Sequence, residues 1–369
     1  MTSSQYNEKM NTLINDKISY LEIDYDPIAN LRKNSYEISK IWNNKKYFSK
    51  VYHDYSLTQT NSTIALIYGL PKLHKNGIPL RPVVPYIGTP TYLFASEVNN
   101  LFKLALEVPE SHINNSIDLL DKIKDVNIPS DHILISLDVK ALYPNVSLDL
   151  IKKSIRKRFH LFKKINNKIL LREIIEAVEF LYENTYFMFN GRFFKQTYGT
   201  PMGSPISPIL ADIVMADLEE SCIKKLKYKP LFFVRYVDDI LTCIPKDQID
   251  NTLKVFNNYH ERLQFTYEIE NNNKINFLEL TLIKNNNTLM HNWYRKNTSS
   301  DRFLNYKSNH TKSQKIGMVY TLVDKVFKLS HKSFHKENLI KIKNYLIKNN
   351  YPIKFIDYYS KKKIRLSTL

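Results

Sequence analysis

Two adjacent carboxylates, Asp238 and Asp239, stand inside "FFVRYVDDILTC", a stretch otherwise fit to be buried strand. The apolar segments Phe232 to Val234 and Ile240 to Ile244 flank them, so a hairpin would carry the pair at its tip. With no lysine or arginine directly beside them, the two carboxylates concentrate negative charge, which must raise a pKa or hold a cation. A third carboxylate, Asp138, ends the apolar run Ile133 to Leu137 a hundred residues upstream. If the two strands are neighbours in one sheet, Asp138 and Asp238 converge at a single edge. Hard oxygen ligands converging there suit Mg²⁺, which keeps the rest of its shell for water and substrate phosphates. Two such ions ~4 Å apart would activate a 3′-hydroxyl and stabilise a leaving pyrophosphate, the chemistry of nucleotidyl transfer. Taken alone, each Asp is equally well a turn cap or a solvated charge; context decides.

The elements that must position these groups can be read from pattern. "HILISLDVKALYPNV" begins as a buried strand ending at Asp138 and breaks into a turn near Pro144. "LREIIEAVEFLYENTYFMF" spaces Ile174, Val178 and Leu181 at helical intervals. "GTPMGSPISPILADIVMADLEE" is a Gly/Pro-rich turn feeding a helix, which Ser204 or Ser207 could cap, each with a proline next. In "KINFLELTL", Leu278, Leu280 and Leu282 alternate with Glu279 and Thr281, the period of one half-buried strand. Asn76-Gly77 signals a tight hairpin whose arms carry Lys72, Lys75 and Arg81. Beyond about Ser330 the chain is Lys-rich, with Leu339, Ile342 and Leu346 on one stripe, as in small helices with basic outer faces.

The 369 residues suggest two or three lobes, and 43% hydrophobic content suffices for a sizeable core. Lys and Arg number 54 against 36 Asp and Glu, a formal charge of +18 that favours a polyanionic partner, a phosphate backbone before a membrane surface. No apolar run approaches the ~20 residues of a membrane span, and "MTSSQYNEKMN" lacks a signal-peptide core. Cys222 and Cys243, set in apolar surroundings without the spacing of a zinc site, fit a reducing intracellular compartment.

"SLDVKALYPNV", "YGTPMGSPISPILA", "RYVDDIL" and "INFLELTL" resemble, in order and rough spacing, the successive palm motifs of reverse transcriptases. "YGLPKLHKNGIPLRPVV" upstream and "WYRKNTSSDRFLNYKSNH" downstream look most like the Penelope-like retroelement reverse transcriptases, a eukaryotic group related to telomerase. The resemblance spans about Tyr68 to His310 and is weaker beyond. It implies an α+β right-hand polymerase with an antiparallel palm sheet flanked by helices, fingers and a helical thumb. The expected domains are an N-terminal helical and linker region over 1–62, fingers over 63–130, palm over 131–285 with a helical fingers insertion at about 150–190, and thumb over 286–369.

Carried over to this sequence, the resemblance makes Asp138 and Asp238 metal ligands, with Asp239 completing the acidic cluster, for two Mg²⁺ ions that Mn²⁺ could replace. Tyr143 matches the aromatic beneath the incoming sugar that excludes a 2′-hydroxyl; a core tyrosine is the plain alternative. The Pro201–Pro205 turn, with Gly203 and Ser204, matches the segment supporting the templating base and nucleotide, with Gln196 nearby. Lys72 and Arg81 are candidate triphosphate contacts, and Lys75, Arg295, Lys296 and Arg302 candidate nucleic-acid contacts, the last three interleaved with Trp293, Tyr294, Phe303 and Tyr306. For the lysines a solvated face, and for the aromatics a thumb core with exposed charges, are the bland readings. Glu279 stands where aspartate is common, Lys274 is a bare candidate for a proton donor to pyrophosphate, and no segment resembles an RNase H domain.

The expected partners are an RNA template, a DNA primer and deoxynucleoside triphosphates, with no membrane, in an intracellular and nuclear setting. The competing reading is a catalytically inactive or co-opted retroelement remnant that binds RNA or hybrid. With no second acidic or His-rich constellation after Asp301, primer extension without nicking of intact DNA is expected.

Overall fold

The computed structural model describes residues 1–48, 57, 59, 61–73, 75–296 and 298–367, with residue 367 described by its backbone alone. Much of the linker expected before residue 62, and Asn297 in the basic-aromatic segment, lie outside the described residues. The chain divides into two compact units, one of residues 1–109, 139–226 and 254–265, the other of 110–138, 227–253 and 266–369.

In the first unit, strands Tyr20–Ile23, Arg192–Gln196, Tyr186–Phe189 and Ala65–Leu66 lie in that order in one sheet. Asn190 and Gly191, both at positive φ, close the hairpin between Tyr186–Phe189 and Arg192–Gln196, as a tight turn matching the strand twist requires. A core of Met10, Ile14, Phe187, Phe194, Val84 and Tyr86 packs beside it. The helix Leu171–Glu183 buries Ile174, Val178 and Leu181, the stripe its spacing predicts. The helix Ser207–Ile223 is apolar nearly all round and buries Asp217, which accepts from Tyr259 Oη at 2.7 Å and pairs with Lys157. Its start differs from expectation. Ile206 is the N-cap, in helical geometry, and no side chain caps the helix, so neither Ser204 nor Ser207 serves.

The Asn76-Gly77 hairpin is also looser than expected. Strands Tyr68–Pro71 and Leu80–Val83 pair from Tyr68↔Val83 to Pro71↔Leu80, which leaves the described residues 72, 73 and 75–79 outside the ladder. Lys72 and Lys75 therefore sit in the loop and only Arg81 on an arm. Pro79 has no N–H to donate, and Gly77 and Ile78 both adopt positive φ, so the chain reverses in successive turns.

In the second unit, strands Phe265–Ile269, His132–Val139, Asp239–Pro245 and Phe232–Tyr236 form a four-stranded sheet in that order. A three-stranded antiparallel sheet of Lys274–Phe277, Leu280–Asn285 and Thr288–Trp293, and helices Lys312–Leu329, His335–Lys348 and Ile353–Ser367, share one core with it, including Leu134, Val234, Leu241, Leu282, Val319 and Leu346. "KINFLELTL" is a hairpin here and not a single strand. Leu278, at φ +52, and Glu279 form its turn, and because two residues preserve the parity of alternation, Leu280 and Leu282 still face inward. The buried pair Lys284–Glu270 ties the two sheets together, with Lys284 Nζ also donating to the His132 carbonyl at 2.8 Å. No helix of the described residues is long and apolar enough to cross a membrane.

Candidate active site

The second unit brings the three aspartates together. His132–Val139 pairs directly with Asp239–Pro245, and the register sets Asp138 opposite Asp239. Residues directly opposite in an antiparallel pair share a face, with Cβ atoms about 5 Å apart. Tyr236 pairs with Asp239, so Val237 and Asp238 are the two central residues of the hairpin turn and Asp238 rides on its tip. Asp138 is exposed, and Asp238 and Asp239 are half-buried.

This turn is strained. Val237 adopts φ +56, a conformation that a glycine normally supplies at the first position of such a turn. For a β-branched residue it costs about 1–3 kcal/mol and persists only where the surroundings over-determine it. Arg235, fully buried, donates from Nη1 to the Val237 carbonyl at 3.0 Å. A charge-assisted hydrogen bond of this kind contributes about 1.5–3 kcal/mol, the same order as the strain, and the cost of burying the guanidinium stands against it. In the sequence Arg235 is only an irregularity in an apolar run, and its part in the turn is not visible there.

Burial first, and then the neighbouring charges of Asp238 and Asp138, push the Asp239 carboxyl up to about 6, with Lys296 opposing and Glu268 adding to the rise. Lys296 thus acts electrostatically on the acidic cluster, and Glu268 is a further member that spacing did not reveal. Among the described residues no three carboxylate, imidazole or thiolate side chains close on a common point as a protein-only metal cage. Facing carboxylates with surplus negative charge do fit a hard cation that takes one or two protein oxygens and completes its shell with water and substrate phosphate.

The candidate nucleotide-side residues lie in the first unit, where two glycines knit them together. Gly203, at φ +123, lies so close to Val84 that a Cβ would come within 2.2 Å of the Val84 carbonyl oxygen, and Val84 N donates to the Met202 carbonyl at 2.8 Å. Gly199, at φ +77, leaves a Cβ no more than 2.4 Å from the Pro144 carbonyl oxygen, while Thr200 N donates to the Tyr143 carbonyl at 2.8 Å. The Pro201–Pro205 turn is therefore bolted to the segment after Asp138 on one side and to the strand bearing Arg81 on the other. Tyr143 is half-buried and Arg81 exposed. Ser204 is buried, as is Gln196, whose amide donates to the Tyr198 carbonyl at 2.9 Å, so Gln196 supports the turn from within.

Arg295 is held inside the second unit. Its guanidinium lies 4.7 Å from the Phe303 ring centre and 4.8 Å from that of Tyr345, and pairs with Asp301 at 3.3 Å. Lys296 and Arg302 are exposed. Glu279 pairs with Lys325 across a cleft of about 460 Å³ that Trp293 and Phe303 also line.

An antiparallel sheet carrying clustered aspartates on a hairpin and its neighbouring strand, among flanking helices, is the palm of a right-hand nucleic-acid polymerase. The chain belongs to the reverse transcriptase (RNA-dependent DNA polymerase) family, whose model matches residues 87–316, more than half its length. It is an RNA-directed DNA polymerase by that membership. A second model, an animal helix-turn-helix domain, matches residues 302–361. The solved telomerase of Candida albicans, in complex with a TWJ fragment of telomeric RNA, shares the fold at a TM-score of 0.54 and 14% identity, over 99% of this chain and 68% of that one. The apo telomerase of Candida tropicalis does so at a TM-score of 0.51 and 16% identity, over 96% of this chain and 66% of that one, so the present chain spans about two thirds of either. No curated protein matches the chain.

Proposed function

We propose that this chain is the reverse transcriptase core of a Penelope-like retroelement, extending a DNA primer on an RNA template. The observation that carries the reading is the register of Asp138 opposite Asp239 with Asp238 on the adjoining turn. In this reading Asp138, Asp238 and Asp239 hold two Mg²⁺ ions. When bound, these would lower the pKa of the primer 3′-hydroxyl and neutralise charge on the phosphates. The protein's own part is positioning. The hairpin fixes the carboxylates, Tyr143 bars a 2′-hydroxyl, Gly203 and the buried Ser204 seat the turn that supports the nascent pair, and Lys72 and Arg81 grip the triphosphate.

The domains proposed are fingers over 63–130, palm over 131–285 and thumb over 286–369. The Penelope-like assignment rests on the two flanking blocks, "YGLPKLHKNGIPLRPVV" and "WYRKNTSSDRFLNYKSNH".

Duplex holding falls to Lys75, Lys296, Arg302 and the last helix, Ile353–Ser367. Asp357 of that helix pairs with Lys343, and Lys363 with Asp324, which fixes it against the two preceding helices. Lys354, Tyr358, Lys361, Lys362 and Arg365, all exposed, then fall on one face at helical spacing, with no acidic residue among them. Such a face suits a phosphate backbone, in keeping with the +18 charge, the helix-turn-helix match and the RNA held by the Candida albicans telomerase. Arg295 shapes this region through its aromatic cage. Primer extension on RNA and DNA templates of one sequence tests the reading.

A further inference from the structure

The hydrogen bond between Arg235 and the catalytic turn has a specific geometric effect. The Val237 carbonyl belongs to the peptide that joins Val237 to Asp238, so a donor fixed on that oxygen sets ψ of Val237 and φ of Asp238 together. Flipping this peptide plane would change the turn type and swing Asp238 away from its present place while leaving the strands paired. The donor itself cannot drift. Arg235 pairs with Ile240 on one edge of its strand. On the other edge its N donates to the Ser111 carbonyl at 2.7 Å and its carbonyl accepts from Ile113 N at 3.0 Å. A buried guanidinium with its backbone clamped on both sides is a fixed reference point, and it is turned toward a peptide whose φ nothing local favours.

We propose that Arg235 is a positioning residue for nucleotidyl transfer: from inside the palm it locks the Val237–Asp238 peptide plane, and so sets where Asp238 and Asp239 present their carboxylates. Fully buried, it lies out of reach of substrate and metal and bears on the carboxylates through the turn. The inference rests on the reading of Asp238 and Asp239 as catalytic carboxylates. It goes beyond that reading in assigning their placement to a residue outside the acidic cluster, and it makes Val237 the strained partner of the lock. Glycine adopts positive φ freely, so Val237→Gly should lessen the need for the arginine.

The test is a double-mutant cycle of Arg235→Gln and Val237→Gly, read in kcat and KM for primer extension and in thermal midpoint. Arg235→Gln is expected to lower kcat at least tenfold while KM for hybrid and for nucleotide stays within about twofold. In the Val237→Gly background the same substitution should cost threefold or less. A loss of equal size in both backgrounds, or a loss confined to KM, would overturn the proposal, because a merely structural arginine has no reason to depend on Val237. If Arg235→Gln does not fold, Arg235→Lys enters the same cycle under the same criteria. If the parent chain extends no primer, the reading of the site fails and the cycle still decides the lock. The fall in midpoint caused by losing Arg235 must be smaller beside Val237→Gly, and equal falls overturn it.

Discussion

Replacing Asp239 by Asn should stabilise the metal-free protein at neutral pH and leave it unchanged in acid. In the folded chain burial, reinforced by Asp238 and Asp138, pushes Asp239 up to about 6, against 3.8 for the free side chain. Between those values the native state holds a proton that the unfolded chain has released, so stability falls as pH rises from about 4 to about 6 and levels off above. Each pKa unit is worth about 1.4 kcal/mol, which sets an upper bound near 3 kcal/mol; with the group half-buried and solvent screening its neighbours, about 1–2 kcal/mol is expected. Asn keeps the shape and removes the charge. Urea unfolding in excess chelator should therefore show Asp239→Asn more stable by about 1–2 kcal/mol near pH 7.5, with an unchanged m-value, and no different near pH 4. Adding Mg²⁺ at tenfold over its Kd should then stabilise the parent by about 1.4 kcal/mol and the variant by much less. A variant destabilised at neutral pH, or a difference independent of pH, would refute the charge-crowding account of this site.

Tyr143→Ala should raise ribonucleotide incorporation, measured as the ratio of efficiencies for deoxy- and ribonucleotides on one template; an unchanged ratio returns Tyr143 to a packing role. Gly203→Ala should destabilise by at least about 1–3 kcal/mol in thermal unfolding, because φ +123 strains any other residue and its Cβ would meet the Val84 carbonyl oxygen at 2.2 Å. Replacing Lys354, Lys361, Lys362 and Arg365 by Gln should flatten the log–log salt dependence of hybrid binding by about 0.9 for each phosphate no longer neutralised, and an unaltered slope would remove the last helix from the duplex surface.

The strand that ends near Asp138 was legible because Ile133, Leu134, Ile135 and Leu137, broken only by Ser136, need a buried sheet, and a carboxylate at their end marks where that sheet meets water; the structure ends the strand one residue later, at Val139. The hairpin tip was legible for the same reason. Arg235 was hidden because nothing in a residue's type tells whether a charged side chain in a strand points out or in, and only its contact with Val237 reveals its use. Leu278 was misread within a single strand because no glycine or asparagine marks its turn, and alternation runs through a two-residue reversal undisturbed. Arg295 reads like any basic-aromatic contact until Phe303, Tyr345 and Asp301 are seen around it, two of them close in sequence and one distant. Asn76-Gly77 did mark a reversal, but sequence alone could not say that strand pairing stops at Pro71↔Leu80.

The central claim is that carboxylates gathered at one hairpin edge run RNA-templated DNA synthesis. The most direct measurement extends one labelled DNA primer on RNA and DNA templates of identical sequence with Mg²⁺, comparing the parent chain with Asp138→Asn and Asp238→Asn. The account predicts extension on the RNA template by the parent, none by either variant, and hybrid affinity within about threefold for all three, since the carboxylates hold metal and not the backbone. Extension surviving in a folded Asp138→Asn or Asp238→Asn protein, or tight hybrid binding by the parent with no extension on RNA, would contradict it.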